Sequence, residues 1–163
     1  MIPVWTPAYI GLGSNLDDPP TQLSLASQAL RAVPGCRWVV ESPRYGSDPV
    51  GPKDQPRFLN GVVVLLTQLS ATALHEALQR VEGQLGKVPP KERFGPRRID
   101  LDLLVFGAQV IATETLQVPH PRLHERAFVL YPLNDVAPDL WILGHGRVRT
   151  LKSRLGSEGL SEQ

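Results

Sequence analysis

The chain has one cysteine, Cys36, in 163 residues. It can close no intramolecular disulfide and offers no second thiolate for a cysteine-built zinc site, so a reducing, cytoplasmic setting is expected. An excess of one charge is also missing: 17 Lys and Arg against 16 Asp and Glu leave a net +1. Such a balance supplies no bulk field to draw the chain onto nucleic acid or anionic lipid. No apolar run approaches the roughly 18 residues of a membrane span. The opening Met1-Ile2-Pro3-Val4-Trp5-Thr6-Pro7 lacks the basic n-region and apolar core of a signal peptide. There is no G-x-x-x-x-G-K-[ST], which excludes Walker-type ATP binding. Repeats and low-complexity blocks are absent too. What is plentiful is proline: 16 residues, about twice average usage, many of them in connections that should be stiff. With 42% hydrophobic residues the profile is that of an ordinary globular chain, expected to form one domain over residues 1–163 with its core in about 8–140.

Ala8-Tyr9-Ile10-Gly11-Leu12-Gly13 predicts a short strand that breaks into a turn at Ser14-Asn15. A helix follows Asp17-Asp18-Pro19-Pro20, with acids at its positive end and proline tolerated in its first turn. Leu23, Ala26, Leu30 and Val33 recur at helical spacing until Pro34-Gly35 stops it. Residues 37–42 read as a second strand. A proline-stiffened loop, 47–56, leads into the β-branched apolar run 58–66, the pattern of a buried strand. Ser70 is placed to cap a helix whose stripe is Leu74, Leu78, Val81 and Leu85. After a second long and basic loop, 87–98, residues 99–106 form a strand. Gly107-Ala108 turn the chain toward 109–111, and a later helix carries Phe128 to Leu133. The end holds a short helical pattern, Leu151 and Leu155, and a polar tail expected to fray. Strand–helix–strand–strand–helix–strand is the order of the α+β, ferredoxin-like split βαβ sandwich, an antiparallel sheet with helices packed on one face. Its two loops are longer than that fold requires, which points to function.

Asp100-Leu101-Asp102 carries the sharpest chemical signal. Strand side chains alternate, so the two carboxylates share a face while Ile99, Leu101 and Leu103 take the other. Their α-carbons would be about 7 Å apart, suited to one metal or to a pair about 4 Å apart. Hard oxygen ligands at that spacing suit Mg²⁺, which completes its shell with water and phosphate. The alternative is a solvent-washed face, but the next same-face positions are Leu104 and Phe106, and two anions beside apolar neighbours call for a cation. Arg93-Phe94-Gly95-Pro96-Arg97-Arg98 leads straight into this strand, with Lys87 and Lys91 before it. Guanidinium groups beside a metal-binding carboxylate pair are what phosphoryl transfer uses. Gly11-Leu12-Gly13-Ser14-Asn15 lacks the third glycine of a dinucleotide fingerprint, Leu16 standing there, and also reads as a packing turn. His75-Glu76 is no zinc motif, since Gln79 holds the second histidine's place; His75 is expected on a helix surface. His120, between Pro119 and Pro121, is placed on a rigid turn where its imidazole can donate to a phosphate. Phe58 and Asn60 point the same way from one strand: a ring to stack on and a carboxamide to read an edge suit a flat heterocycle, although both residues also fit a core.

Four stretches together resemble the 6-hydroxymethyl-7,8-dihydropterin pyrophosphokinase family. They are Tyr9 to Leu16, Gly51 to Asn60, Arg93 to Leu104 and Val118 to Leu130; the third looks like the family signature nearly residue for residue. The resemblance runs from about Ala8 to about Leu140. It implies transfer of pyrophosphate from ATP to a pterin alcohol in folate biosynthesis, with two Mg²⁺ ions held by Asp100 and Asp102. It makes Arg97 and Lys87 catalytic and assigns ATP to Gln79, Glu82, Arg97, Leu103, His120 and Arg126. The pterin would lie between Phe58 and Phe128, with Asn60 on its amide edge and the loop backbone at Ser47, Asp48 and Val50 completing the pocket. The partners it implies are small molecules, with no nucleic acid and no membrane, the chain being a monomer or a weak homodimer. Departures fall mainly in the basic loop: Lys87 stands where relatives often have arginine, Pro89-Pro90 replaces a position that can be basic, and Phe94 replaces a tryptophan. Thr115 stands where some relatives carry an arginine, and Phe58 where tyrosine also occurs. Two other classes share this fold. An RNA-binding module would need an aromatic R/K-G-F-G-F strand pattern that is missing here, and a regulatory ligand-binding domain would have no use for an Asp pair flanked by arginines.

Overall fold

The computed structural model describes residues 4–86 and 97–163. Lys87, Pro89, Pro90, Lys91, Arg93 and Phe94, named above, lie outside them. Strand β1 (Thr6–Ser14) opens the fold and helix α1 (Pro19–Arg31) follows. Between them Asp17 and Asp18 both take a left-handed backbone, φ 55° and 65°, a conformation that short polar side chains tolerate through local hydrogen bonds. One such bond is present, the Thr21 hydroxyl donating to the Asp18 carboxylate at 2.6 Å; Asp17 is held through its carbonyl by Gln22 Nε2 and, far along the chain, through its carboxylate by Arg98 Nε at 2.7 Å. The expected second strand, 37–42, is β2 (Cys36–Glu41); beyond it, after Pro43, stands a further short strand that was not expected, β3 (Tyr45–Ser47). Pro43 has no N–H to give a ladder.

Strand β4 (Phe58–Thr67) is central. It pairs β1 along its whole length on one side, and β2 then β3 on the other, all antiparallel. Helix α2 (Ala71–Gln84) begins at Ser70 as expected, the Ser70 hydroxyl accepting from the Ala73 amide at 3.1 Å. Strand β5 (Asp100–Phe106) completes the sheet beside β1. Two residues of β5 are spent against one step of β1 at Tyr9/Ile10, which makes Leu104 a bulge. The bulge turns Phe106 onto the opposite face from Asp100 and Asp102, contrary to the unbroken alternation expected. Gly107-Ala108 form the expected turn, and strands β6 (Ile111–Ala112) and β7 (Gln117–Val118) beyond it pair with each other in a separate two-stranded sheet.

After a 3₁₀ turn at Leu123–Glu125 come helix α3 (Ala127–Val136), the hairpin β8 (Trp141–Ile142) and β9 (Gly146–Arg147), and helix α4 (Val148–Ser153). The polar tail expected to fray is instead strand β10 (Leu160–Glu162), paired with β3. Helices cover both faces of the sheet, not one. On the first, Ile10, Leu12, Leu59, Val63, Leu65, Leu101 and Leu103 meet α1 and α2 in a closed apolar core. On the second, Val62, Leu104 and Val105 meet Leu130 and Leu133 of α3 and Leu151 of α4. Burial of each such Leu or Ile contributes about 1.5–3 kcal/mol, so the larger first core holds most of the apolar stabilisation. The second is smaller because part of that face stays open.

Candidate active site

The open part lies where β1 contributes glycine. Strand register puts Asp100, Gly13 and Asn60 in one row across β5, β1 and β4, and Asp102, Gly11 and Val62 in the next. Without side chains at 11 and 13, the centre of the sheet is a floor. An added Cβ at Gly13 would already touch Asn60 Oδ1, and one at Gly11 the Leu104 side chain, each at 3.4 Å. Phe128 and Val129 from α3 wall the cavity above, Phe58 and Val62 line it from β4, and Ser47, Asp48 and Val50 close one end. Asp100, Asp102, Arg97 and Arg126 form the other end. The cavity is therefore flat and aromatic at one side and charged at the other. Phe58 and Phe128 are both half-buried.

Asn60 is 5% exposed and already engaged. Its amide donates to Ser47 Oγ at 2.8 Å and to the Tyr45 carbonyl at 3.2 Å, so it ties the 45–47 strand to the cavity while its oxygen faces the Gly13 side. Its replacement by alanine would therefore loosen the wall as well as the floor, and is less clean a probe than its small size suggests.

The charged end is organised by a residue to which the sequence reading gave no role. Asn15, 2% exposed, accepts the Arg97 amide on Oδ1 at 2.7 Å and donates its own amide to the Arg97 carbonyl at 3.0 Å. Its Nδ2 donates to Gln55 Oε1 and to the Pro56 carbonyl. One carboxamide thus clasps the end of β1, the 48–57 loop and the entry to β5. The available signal was a buried polar residue following Gly-x-Gly-Ser at a strand end, where its partners lie far along the chain. From this clasp Arg97 Nη1 donates to Asp100 Oδ2 at 2.7 Å, while Arg97 Nε is buried with no partner among the described residues. Asp100 is accordingly no loose strand end. Burial pushes the Arg126 guanidinium below its ordinary value and the Asp102 carboxylate pulls it back, so these two opposite charges hold each other at the cavity mouth.

A separate groove runs along the outer edge of β5, lined by His75, Asp102, Leu103, Thr115, Gln117 and His120 among others. The carbonyl of the Leu104 bulge accepts the His120 amide at 2.8 Å, which brings this turn against β5. His120 Nδ1 accepts from the Arg122 amide at 3.2 Å, leaving the ring proton on Nε2. Burial first, then the charges of Arg126 and Arg122, lower its pKa from 6.5 to about 4, so the imidazole is neutral at pH 7. His75, half-buried on α2, lines this groove. Asp102 borders both the cavity and the groove.

Two expected residues go elsewhere. Glu82 is buried on α2 and accepts the Leu101 amide at 2.9 Å, closing the outer edge of β5. Gln79, one turn earlier, is exposed, and neither lines the cavity or the groove. Lys87 lies outside the described residues.

The family model of 7,8-dihydro-6-hydroxymethylpterin-pyrophosphokinase (HPPK) matches residues 9–138. A 2-amino-4-hydroxy-6-hydroxymethyldihydropteridine pyrophosphokinase of Pseudomonas aeruginosa is 51% identical over 132 residues, covering 81% of each chain. One of the same name from Methylorubrum extorquens is 41% identical over 155 residues, 95% of this chain and 97% of the relative. Among solved structures, Plasmodium falciparum HPPK-DHPS superposes with a TM-score of 0.72 at 14% identity over 94% of this chain. At that identity the likeness is one of fold, and this chain spans only 46% of that longer chain.

Proposed function

The chain belongs to the 7,8-dihydro-6-hydroxymethylpterin-pyrophosphokinase family, and from that premise we propose how its cavity and groove divide the work. The reaction is transfer of a pyrophosphoryl group from ATP to 6-hydroxymethyl-7,8-dihydropterin in folate biosynthesis. The observation that carries the division is the position of Asp102, on the border between an aromatic cavity and a second groove. Two substrates lying one in each would meet there.

The pterin ring lies between Phe58 and Phe128 over the glycine floor, its amide edge toward Asn60 and the loop at Ser47, Asp48 and Val50. ATP lies along the groove past Leu103 and His120. The neutral His120 donates from Nε2 to a phosphate oxygen. Arg97 and Arg126 neutralise phosphate charge, and Arg97 Nε, which has no partner among the described residues, can donate to a phosphate oxygen. Asp100 and Asp102 hold two Mg²⁺ ions. The residues fit that cation: two hard carboxylates, Asp100 and Asp102, share one strand face beside the cavity, and Mg²⁺ takes one or two protein carboxylates and completes its shell with water and phosphate. When bound, Mg²⁺ supplies neutralisation of the phosphate oxygens. The protein then aligns the hydroxymethyl oxygen with the β-phosphorus of ATP; as the O–P bond forms, the hydroxymethyl proton passes to water or to the Asp100 or Asp102 carboxylate, the bond from the β-phosphorus to the α,β-bridging oxygen breaks, and AMP leaves with that oxygen. Gln79 and Glu82 on α2 line neither space, and Lys87 lies outside the described residues. The partners are these small molecules. No helix among the described residues is long and apolar enough to cross a membrane, and a cytoplasmic monomer or weak dimer fits the reading.

The test is the nucleotide product. With ATP, Mg²⁺ and the reduced pterin alcohol, AMP should form in step with pterin diphosphate; stoichiometric ADP would make the chain an ordinary kinase and overturn the reading.

A further inference from the structure

The loop that closes the aromatic end of the cavity is held from outside by the C-terminal strand. Strand β3 runs directly into Asp48 and Val50, the cavity wall. On its inner side β3 pairs β4; on its outer side β10 pairs it, with Leu160 opposite Ser47 and Glu162 opposite Tyr45. Where that pairing ends, one carbonyl takes two donors. Gly159 O accepts the Asp48 amide at 3.1 Å and Arg57 Nη2 at 2.7 Å. Arg57 Nε in turn meets Asp48 Oδ1 at 3.2 Å. Arg57 immediately precedes Phe58, so both ends of the 48–57 loop are tied at a single point. Gly159 has φ +71°, and a Cβ there would stand 2.9 Å from Asp48 Cγ; only glycine brings its carbonyl so close to that wall.

We propose that Arg57 and Gly159 are positioning residues for the pterin, joining the C-terminal strand to the loop at Asp48 so that the cavity wall is set before the ring enters. This rests on the cavity being the pterin site. The Arg57–Asp48 pair is exposed, with side chains 50% and 67% accessible, so its Coulombic attraction is small. Its use is directional: the guanidinium fork addresses a carboxylate and a carbonyl at once, which a lysine ammonium on a flexible stem does less well. A preset wall lowers the ordering cost of binding and leaves the chemical step alone.

The experiment compares the full chain with a variant ending at Ser157, and with Arg57→Ala, Arg57→Lys and Gly159→Ala. Circular dichroism checks that each is folded. Steady-state kinetics should show the pterin KM rising about tenfold in the truncated chain and in Arg57→Ala, with the turnover number and the KM for ATP within about twofold. Arg57→Lys should fall between Arg57→Ala and the natural chain. The Asp48 amide should exchange with solvent at least about tenfold faster once its acceptor strand is gone. A folded truncated chain with an unchanged pterin KM, or with Asp48 exchange as slow as before, would overturn the proposal. If the full chain itself turned over no pterin, the cavity reading would fail instead; the Asp48 exchange rate would still decide whether the tail holds the loop.

Discussion

The same three strands build two unlike faces. Toward α1 and α2 they present Ile10 and Leu12, Leu59, Val63 and Leu65, Leu101 and Leu103, all buried in the core. Toward α3 the alternate residues are Gly11 and Gly13, Phe58 and Asn60, Asp100 and Asp102. One residue of offset separates a packed interior from a floor of glycine ringed by aromatic, amide and charged groups. Period-two alternation lets a sheet anchor the fold with one set of positions and bind with the other. The binding face is then as rigid as the core behind it, which is what a site that must hold two reactants in line requires.

The comparison makes its largest claim about activity. Asp102→Ala should lower turnover by about three orders of magnitude or more, because a hard ligand and a partner of Arg126 are lost together. Asp102 is exposed, so the unfolding free energy should change by less than about 0.5 kcal/mol. Ile10→Ala, on the opposite face and fully buried, should do the reverse, costing about 2–5 kcal/mol of stability with the activity of the folded fraction retained. Denaturant titration and initial rates on both variants check the pair. An unfolded Asp102→Ala, or a mild Ile10→Ala, would break the division of labour.

Gly13→Ala sharpens it. The new methyl would rest on Asn60 Oδ1 at 3.4 Å, ordinary contact, and an extended backbone accepts alanine, so stability should hold or gain about 0.4–1 kcal/mol. The methyl rises from the cavity floor, however, and pterin affinity measured by calorimetry should drop about tenfold, or about 1.4 kcal/mol. Unchanged affinity would move the ring off the glycine rows.

The smallest effect is on pH. The folded chain holds His120 at about 4 against an ordinary 6.5, so between those values the unfolded chain binds more protons. The stabilisation is complete above pH 6.5 and is lost as the pH falls toward 4. The thermal midpoint should decline through that window, and His120→Gln should flatten part of the decline. An equal slope in the variant would show that the imidazole is not held neutral by the fold.

What the sequence made legible follows from the same alternation. Asp100 and Asp102 share a face, Phe58 and Asn60 share another stretch of it, and Ser70 caps α2, all from local spacing. Phe106 was misplaced because a bulge at Leu104 resets the period, and a bulge between leucine and valine leaves no mark in the residue types. The second helical layer was read as a helix at residues 128–133, but its packing partner depends on tertiary closure. Strand β10 leaves no mark in the polar tail because an edge strand can be held by backbone hydrogen bonds alone, which need no hydrophobic pattern. Asn15 went unassigned for the opposite reason: its partners Gln55, Pro56 and Arg97 lie 40 or more residues away.

Methyl NMR tests the central claim most directly. On titrating the chain with the reduced pterin, the methyl resonances of Val62, Leu104 and Val129, which line the α3-side cavity, should shift. Those of Ile10, Val63 and Leu78, buried on the other side of the same sheet, should stay in place. Shifts concentrated at Ile10, Val63 and Leu78, with Val62, Leu104 and Val129 unmoved, would contradict the assignment of binding to the glycine face.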